Sequence, residues 1–279
     1  MNTMPKVFIA LSALFFLCPV LAYGQEVEAY FRFMPSSEAK AQPGKLEIID
    51  AGSKYSYELK AFEKVPVKLS LDTRYIGIEN TTAVELPAHL VGLATDIETT
   101  LPFFNIDKTY LRLGVSPSFY SDDWDFSSSS FRIPQRCLLI YIPNERWTFL
   151  AGLGVYPDYE FTVLPLFGFI YKPNSKLTFH MAPDKPNISY ILNERVTLFA
   201  EATGSYNEFE VDKDNLKNVG LHYIELHTAA GLNYKINKFI RCSIQAGASF
   251  ARSLKYRDSL GKVNLENGLF SELRVEIKI

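Results

Sequence analysis

Apolar and polar residues alternate over long stretches of the chain. In residues 221–236 the even positions are largely apolar, whereas the odd positions include Glu225, His227 and Lys235. Residues 269–279 have apolar side chains at most odd positions and charged ones at most even positions. A period of two is typical of a β-strand whose faces meet two different environments.

The length of these stretches distinguishes two kinds of β protein. Strands of soluble sandwiches usually run about 5–6 residues, whereas tilted membrane strands need about 9–11. Several stretches here reach ten residues or more. The pattern therefore predicts an all-β, transmembrane up-and-down antiparallel β-barrel, and a soluble β protein with a buried aromatic core is the alternative.

Short polar junctions recur along the chain at intervals of 19 (193 − 174) to 44 residues (237 − 193). They lie at residues 63–64, 105–108, 144–146, 174–176, 193–195 and 237–238, and several have Asn at the start. Asn tolerates left-handed conformations in tight turns. Each interval accommodates two strands and a loop of variable length, which gives about fourteen strands, with twelve as the alternative. The looser loops are expected at residues 121–130, 208–218 and 257–267.

The N-terminal residues have the layout of an export signal. One Lys precedes an apolar run at residues 7–20, and small residues lie three and one positions before Gln25. This layout predicts a signal peptide over residues 1–24 and a mature barrel domain over residues 25–279. Cleavage would remove Cys18 and leave Cys137 on the sixth predicted strand and Cys242 on the thirteenth, so two free thiols are expected.

Composition supports a membrane location without a spanning helix. Past residue 24 the longest uncharged runs cover residues 147–157 and 161–171, which are too short for a helix of about 20 apolar residues. The formal net charge of −2 gives no reason to expect a nucleic-acid partner. Aromatic residues flank the tight turns, as in an interfacial girdle: Phe62, Phe103, Phe104, Tyr110, Tyr141, Trp147, Tyr171, Tyr234 and Phe239.

One face of the predicted strands is charged almost throughout, and this face is assigned to the barrel lumen. The predicted lumen-lining residues are Lys68, Asp72, Arg74, Asp96, Glu98, Arg112, Glu225, His227, Arg241, Glu272, Arg274 and Glu276. Charges of mixed sign in a confined lumen either pair into a plug or line a narrow aqueous path that discriminates by charge. The pattern does not separate these outcomes. No cofactor or metal is expected.

Part of the chain resembles a known family. Residues 164–174 read LPLFGFIYKPN and are followed by Leu177-Thr178-Phe179 and by ISYILNER at residues 188–195. These hairpins resemble a family of uncharacterised bacterial outer-membrane barrels, the domain of unknown function 6268 type. The resemblance implies the bacterial outer membrane as the location, with its lipids and the barrel-assembly machinery as partners. Ile279 departs from the aromatic residue that usually ends such barrels.

Three functional hypotheses follow. The leading one is a monomeric, passive or weakly selective channel for small solutes, which is not an enzyme. The second is a structural or adhesive barrel whose loops at residues 121–130 and 208–218 bind an external partner. The third is a membrane hydrolase in which His227 and Glu225 act with Ser243 or Ser249, although a polar lumen more often uses such a histidine in a salt-bridge network.

Overall fold

Each predicted run of alternating residues forms a β-strand in the computed structural model, which describes residues 25–61, 65–104, 106–159, 161–183, 185–213 and 216–278. The strands are β1 (Gln25–Glu38), β2 (Lys45–Ala61), β3 (Val65–Asn80), β4 (His89–Pro102), β5 (Thr109–Val115, continued by Ser118–Ser121), β6 (Phe131–Arg132, continued by Gln135–Asn144), β7 (Trp147–Val155), β8 (Val163–Tyr171), β9 (Leu177–Met181), β10 (Asn187–Ile191), β11 (Val196–Lys213), β12 (Leu216–Lys235), β13 (Ile240–Tyr256) and β14 (Lys262–Asn264, continued by Gly268–Lys278). The predicted signal peptide and Ile279 lie outside the described residues.

The strands follow one another around a closed antiparallel barrel of 14 strands. Closure is made by β14 and β1, with Phe31 opposite Leu273 and Arg32 opposite Glu272. This confirms the larger of the two predicted strand numbers. Cys137 on β6 and Cys242 on β13 are free thiols on strands that are not neighbours, as the predicted strand order requires.

The two faces of the wall differ as the alternation predicts. Large apolar side chains such as Leu71, Phe167 and Leu269 point outward, and Phe167 is 71% exposed. The inward positions include Arg32 and Glu272, which are buried. An apolar exterior around a polar interior is the arrangement of a transmembrane barrel. Within the ranges that the structure describes, no helix is long and apolar enough to cross a bilayer.

Four tight turns at one rim, which we call the turn end, share one mechanism. The side-chain oxygen of Asn144 accepts hydrogen bonds from the backbone N–H groups two and three residues later, at 2.9 and 3.1 Å. Asn174, Asn193 and Asn237 do the same at 2.8–2.9 Å. None of these four asparagines has a positive φ. They therefore serve as side-chain acceptors rather than as left-handed residues.

We expect Asn193→Ala to lower the free energy of unfolding by about 1 kcal/mol, because the backbone N–H groups of Arg195 and Val196 lose their acceptor in a turn exposed to water. Urea titration of the barrel in phospholipid vesicles, followed by tryptophan fluorescence, measures the change. Glu194→Ala is the matched control, since that side chain lies exposed in the same turn. Equal effects of the two substitutions would contradict the assigned role of Asn193.

Aromatic side chains form part of the predicted girdle at the turn end. Trp147 stacks on Tyr171 with ring centroids 4.2 Å apart and on Phe149 at 5.4 Å. Tyr171 in turn stacks on Phe179 at 6.1 Å. Tyr110 is an exception, because it faces a cavity in the interior. Phe62 lies outside the described residues.

The opposite rim, the loop end, is pinched. Ser121 of β5 forms a parallel bridge with Glu210 of β11, although β6–β10 lie between these strands in the barrel order. The backbone N–H of Asp122 donates to the Glu210 carbonyl (3.1 Å), and that of Asp212 donates to the Asp122 carboxylate (3.2 Å). At this end the pinch separates a main lobe of the interior, bounded by β11–β14 and β1–β5, from a side lobe, bounded by β5–β11.

An apolar core fills the loop end of the main lobe. Met34, Ile48, Ile76 and Tyr223 each lie two positions along the inward face from a charged residue, and all are buried. They join one cluster with Leu46, Ile78, Leu90, Phe209, Val211, Val219, Leu221, Leu254, Tyr256, Val263 and Leu265. The main lobe is therefore packed at this end like the interior of a soluble domain.

The predicted loop at residues 208–218 is wrong over most of its length. Strand β11 continues to Lys213 and β12 begins at Leu216. The apolar core includes Phe209, Val211 and Val219. Their burial extends both strands into the predicted loop, although polar residues stand at the positions between them. The loop predicted at residues 257–267 likewise contains the first segment of β14 and a short 3-10 turn at Arg257–Ser259.

Candidate functional site

The middle of the main lobe holds a buried network of ion pairs centred on Arg32. Its Nε and Nη2 both donate to Glu272 Oε2, at 2.8 and 2.7 Å, and Nη1 lies 3.7 Å from Asp50 and 4.0 Å from Glu225. Asp50 also accepts from both Nε and Nη2 of Arg74, at 3.1 and 2.8 Å. One arginine thus faces three carboxylates, and a second neutralises Asp50. Such paired charges plug this part of the interior.

His227 belongs to this network and does not form a catalytic arrangement. The ring is 1% exposed, with Nε2 3.4 Å from Arg32 and its face beside Phe270. Ser249 donates its hydroxyl hydrogen bond to Glu225 rather than to His227. Ser243 donates to Asn233. Within the described residues, neither serine donates its hydroxyl group to the histidine.

At the turn end, charged side chains line an open cavity of about 830 Å³. Arg241 donates to Glu276 at 3.2 Å, and Arg274 lies 3.2 Å from Glu28 and 2.6 Å from Glu272. The other predicted lumen residues also form cross-strand pairs: Lys68 with Glu26 (3.8 Å), Asp72 and Asp96 with Lys54 (2.8 and 3.0 Å), and Arg112 with Glu98 (3.6 Å). Their part in permeation stays a prediction.

The side lobe has a different lining. Its cavity of about 960 Å³ is bounded on one side by β6–β8, whose inward residues are largely apolar. These residues are Leu138, Ile140, Leu150, Leu164, Leu166 and Ile170. Glu98, Arg112 and Arg136 lie on the neighbouring part of the wall. The side lobe is therefore an amphipathic compartment, in contrast to the charged cavity at the turn end.

A cluster of tyrosines stands at the loop end of the side lobe. Tyr159 packs between Tyr156 and Tyr206, with ring centroids 4.9 and 4.6 Å away. Tyr206 also contacts the His222 ring through its hydroxyl at 2.9 Å. All three tyrosines line both the side-lobe cavity and an adjoining cavity of about 390 Å³. They lie where the two cavities meet.

Ion pairs hold the loop that carries Tyr156 and Tyr159. Arg132 donates to the Asp158 carboxylate, and a second Arg132 nitrogen donates to Glu208 at 2.7 Å. Asp158 also accepts from the backbone N–H of Glu208 at 3.3 Å. Burial raises the pKa of the Asp158 carboxyl above its ordinary value, while the Arg132 guanidinium opposes that shift. The tyrosine loop is thereby tied to β11.

The sequence analysis missed two features of this interior. Arg32 and Asp50 are absent from the predicted lumen-lining residues, yet they form the centre of the buried network. The apolar inner wall also escaped notice. The sequence does indicate this wall, because residues 147–157 and 161–171 contain no charged residue. A strand without charge on either face cannot line a fully charged lumen.

Comparison with known proteins places the fold among outer-membrane barrels. A COG4313 outer membrane channel from Pseudomonas putida F1 has a TM-score of 0.50 at 10% identity, over 92% of this chain and 96% of that one. The KdgM and NanC porins have TM-scores of 0.41 and 0.43 at 8% and 11% identity, over 91% and 92% of this chain and 99% and 100% of theirs. No curated relative matches the sequence. The family model described as Domain of unknown function (DUF6268) matches residues 66–267, and the chain belongs to that family.

Proposed function

We propose that the protein is a passive channel of the bacterial outer membrane and that small solutes pass through its side lobe. One observation carries this proposal. The main lobe is filled by an apolar core at its loop end, whereas the side lobe contains a cavity of about 960 Å³ between β5 and β11. A solute crossing the barrel meets the least packed interior in the side lobe.

The height of the wall supports the same route. Strands β9 and β10 have 5 residues each, whereas β11 and β12 have 18 and 20. At about 3.3 Å per residue, the short strands span roughly half the thickness of a bilayer core. The rim of the side lobe is therefore low beside β11, which shortens the constricted part of the route.

The charges along this route favour weak selectivity. Arg112 and Glu98 both line the side-lobe cavity and lie 3.6 Å apart, so their charges largely cancel. A pore whose fixed charges are paired discriminates weakly between cations and anions. Recording in planar bilayers tests the basic proposal: protein that shows the heat-modifiable band of a folded barrel should conduct in potassium chloride. The absence of any conductance from such folded protein would contradict a channel function.

A cysteine experiment tests the route itself. In a background with Cys137→Ser and Cys242→Ser, we expect Leu166→Cys to react with the anionic thiol reagent MTSES and to lose roughly half or more of its conductance, because the added group occupies the pore. Leu166 is half-buried and lines the side-lobe cavity. The readout is the single-channel current before and after the reagent.

Ile76→Cys in the same background is the matched control. Ile76 has no exposed surface and lies in the apolar core of the main lobe. We expect its thiol to stay unmodified and its conductance to stay unchanged. The opposite pattern, with block at residue 76 and none at residue 166, would move the route to the main lobe.

A further inference from the structure

Arg136 occupies an unusual position in the side lobe. It faces inward from β6 and borders both the side-lobe cavity and the adjoining cavity of about 390 Å³. Its cross-strand partners are Gly114 on β5 and Gly154 on β7. Neither partner has a side chain to cover the guanidinium, and Arg136 Nε lies 3.8 Å from the position that a Cβ on Gly114 would take. On the Gly114 side the Arg136 side chain therefore has no covering neighbour, whereas the Tyr156 ring lies over Gly154 on the other side.

Arg136 also differs in its charge partners from five other interior arginines. Arg32, Arg74, Arg112, Arg241 and Arg274 each have a carboxylate within 4.0 Å. Among the described residues, no carboxylate lies that close to Arg136. Asp96 interacts with it electrostatically, but the Asp96 carboxylate is bound by Lys54 and Ser116. A guanidinium has five N–H donors, and within the described ranges those of Arg136 donate to no other side chain, so they can bind an anion.

An apolar surface begins directly beside this guanidinium. Leu138 lies two positions along the same inward face, and the next inward pair is Ile140 opposite Leu150, both buried. Leu166 extends the same surface on β8. The cavity volume of about 960 Å³ falls at the upper end of the range of small-molecule pockets. A ring or short alkyl chain on this surface would place an attached carboxylate at Arg136.

We propose that the side lobe contains a binding site for amphipathic monoanions, with the carboxylate of a small aromatic or aliphatic acid on Arg136 and its hydrocarbon part against Leu138, Ile140 and Leu150. This inference rests on the proposed channel function, since it names the class of solute that the route favours. A hydrophilic anion would leave the apolar wall exposed to water. A neutral hydrocarbon would leave Arg136 without a counter-ion. An amphipathic monoanion satisfies both parts of the site.

Calorimetric titration of the detergent-solubilised barrel tests the site, with phenylacetate as the probe. We expect saturable binding, weakened about tenfold or more by Arg136→Gln, because a charge-assisted hydrogen bond contributes about 1.5–3 kcal/mol. Arg241→Gln is the matched control, since Arg241 pairs with Glu276 in the turn-end cavity. Its affinity for phenylacetate should equal that of the wild type.

Two analogues and a second variant test the two halves of the site. Acetate lacks the ring and 2-phenylethanol lacks the charge, so each should bind about tenfold or more weakly than phenylacetate. Leu166→Gln should weaken phenylacetate binding while leaving the heat-modifiable band of the folded barrel intact. Equal binding of acetate would reduce the site to a simple anion site, and equal binding of 2-phenylethanol would reduce it to an apolar pocket. Either result overturns the proposal.

The outcomes also separate this inference from the channel proposal. Titration in detergent requires no conductance. If the barrel conducts but the wild type binds phenylacetate no more tightly than Arg136→Gln does, the inference alone is overturned. A barrel that binds phenylacetate through Arg136 but never conducts would overturn the channel function alone.

Discussion

Arg32→Met is expected to lower the free energy of unfolding of the barrel by about 3–5 kcal/mol, the usual cost of removing one partner from a buried ion pair. The Arg32 side chain is 8% exposed and faces Glu272, Asp50 and Glu225. Asp50 keeps Arg74 and Glu272 keeps Arg274 after the substitution. Among the described residues, Glu225 then retains neutral hydroxyl donors from Tyr223 and Ser249, so a buried carboxylate loses its nearest described cation.

Lys68→Met provides the comparison, because it removes a cation from the same interior in a more exposed place. The Lys68 side chain is 39% exposed, and its nitrogen lies 3.8 Å from Glu26. Exposed pairs usually contribute less than about 1 kcal/mol. Urea unfolding in vesicles measures both variants at one pH. If Arg32→Met cost no more than Lys68→Met, the network around Arg32 would be hydrated in the folded barrel and the main lobe would not be plugged.

The barrel could be predicted from the sequence because its wall is determined by local patterns. Alternation with a period of two assigns each residue to one face, and an asparagine marks four of the tight turns. The spacing of 19 residues between Asn174 and Asn193 (193 − 174) corresponds to the short strands β9 and β10. Neither step requires knowledge of contacts across the interior.

The division into two lobes could not be predicted in this way. It depends on a bridge between Ser121 and Glu210, residues far apart in the sequence and in the strand order. Alternation indicates that Phe209 and Tyr120 face inward, but not that their rings meet at 5.4 Å. Which inward residues meet depends on the curvature of the whole barrel, and a single sequence does not encode that curvature locally.

The apolar wall of the side lobe could have been predicted from the sequence. The uncharged runs at residues 147–157 and 161–171 exclude a spanning helix by their length, and they also contain apolar residues at both parities. Leu150 and Leu166 point inward, while Phe149 and Phe167 point outward. A barrel strand that is apolar on both faces indicates a lumen that is not uniformly wet. The same reasoning did not identify Arg136, because its significance comes from glycines on two other strands.

Phe209→Ala is expected to cost about 3–5 kcal/mol of unfolding free energy, as large-to-small substitutions of buried aromatic residues do. Phe209 has no exposed surface and packs edge-on against Tyr120 within the apolar core of the main lobe. Protein side chains surround the site, so the substitution leaves a cavity as well as losing the transfer free energy of the ring. Urea unfolding in vesicles gives the magnitude.

Phe167→Ala separates these two contributions, because Phe167 is 71% exposed on the outer face of the same barrel. Lipid chains fill the space left by that ring, so only the transfer free energy is lost, about 1.5–3 kcal/mol for a fully buried phenylalanine and less at a partly covered site. A larger loss at Phe209 than at Phe167 therefore measures the protein packing inside the main lobe. Equal losses would mean that solvent or lipid reaches Phe209, so the main lobe would not be packed and solutes would have no reason to prefer the side lobe.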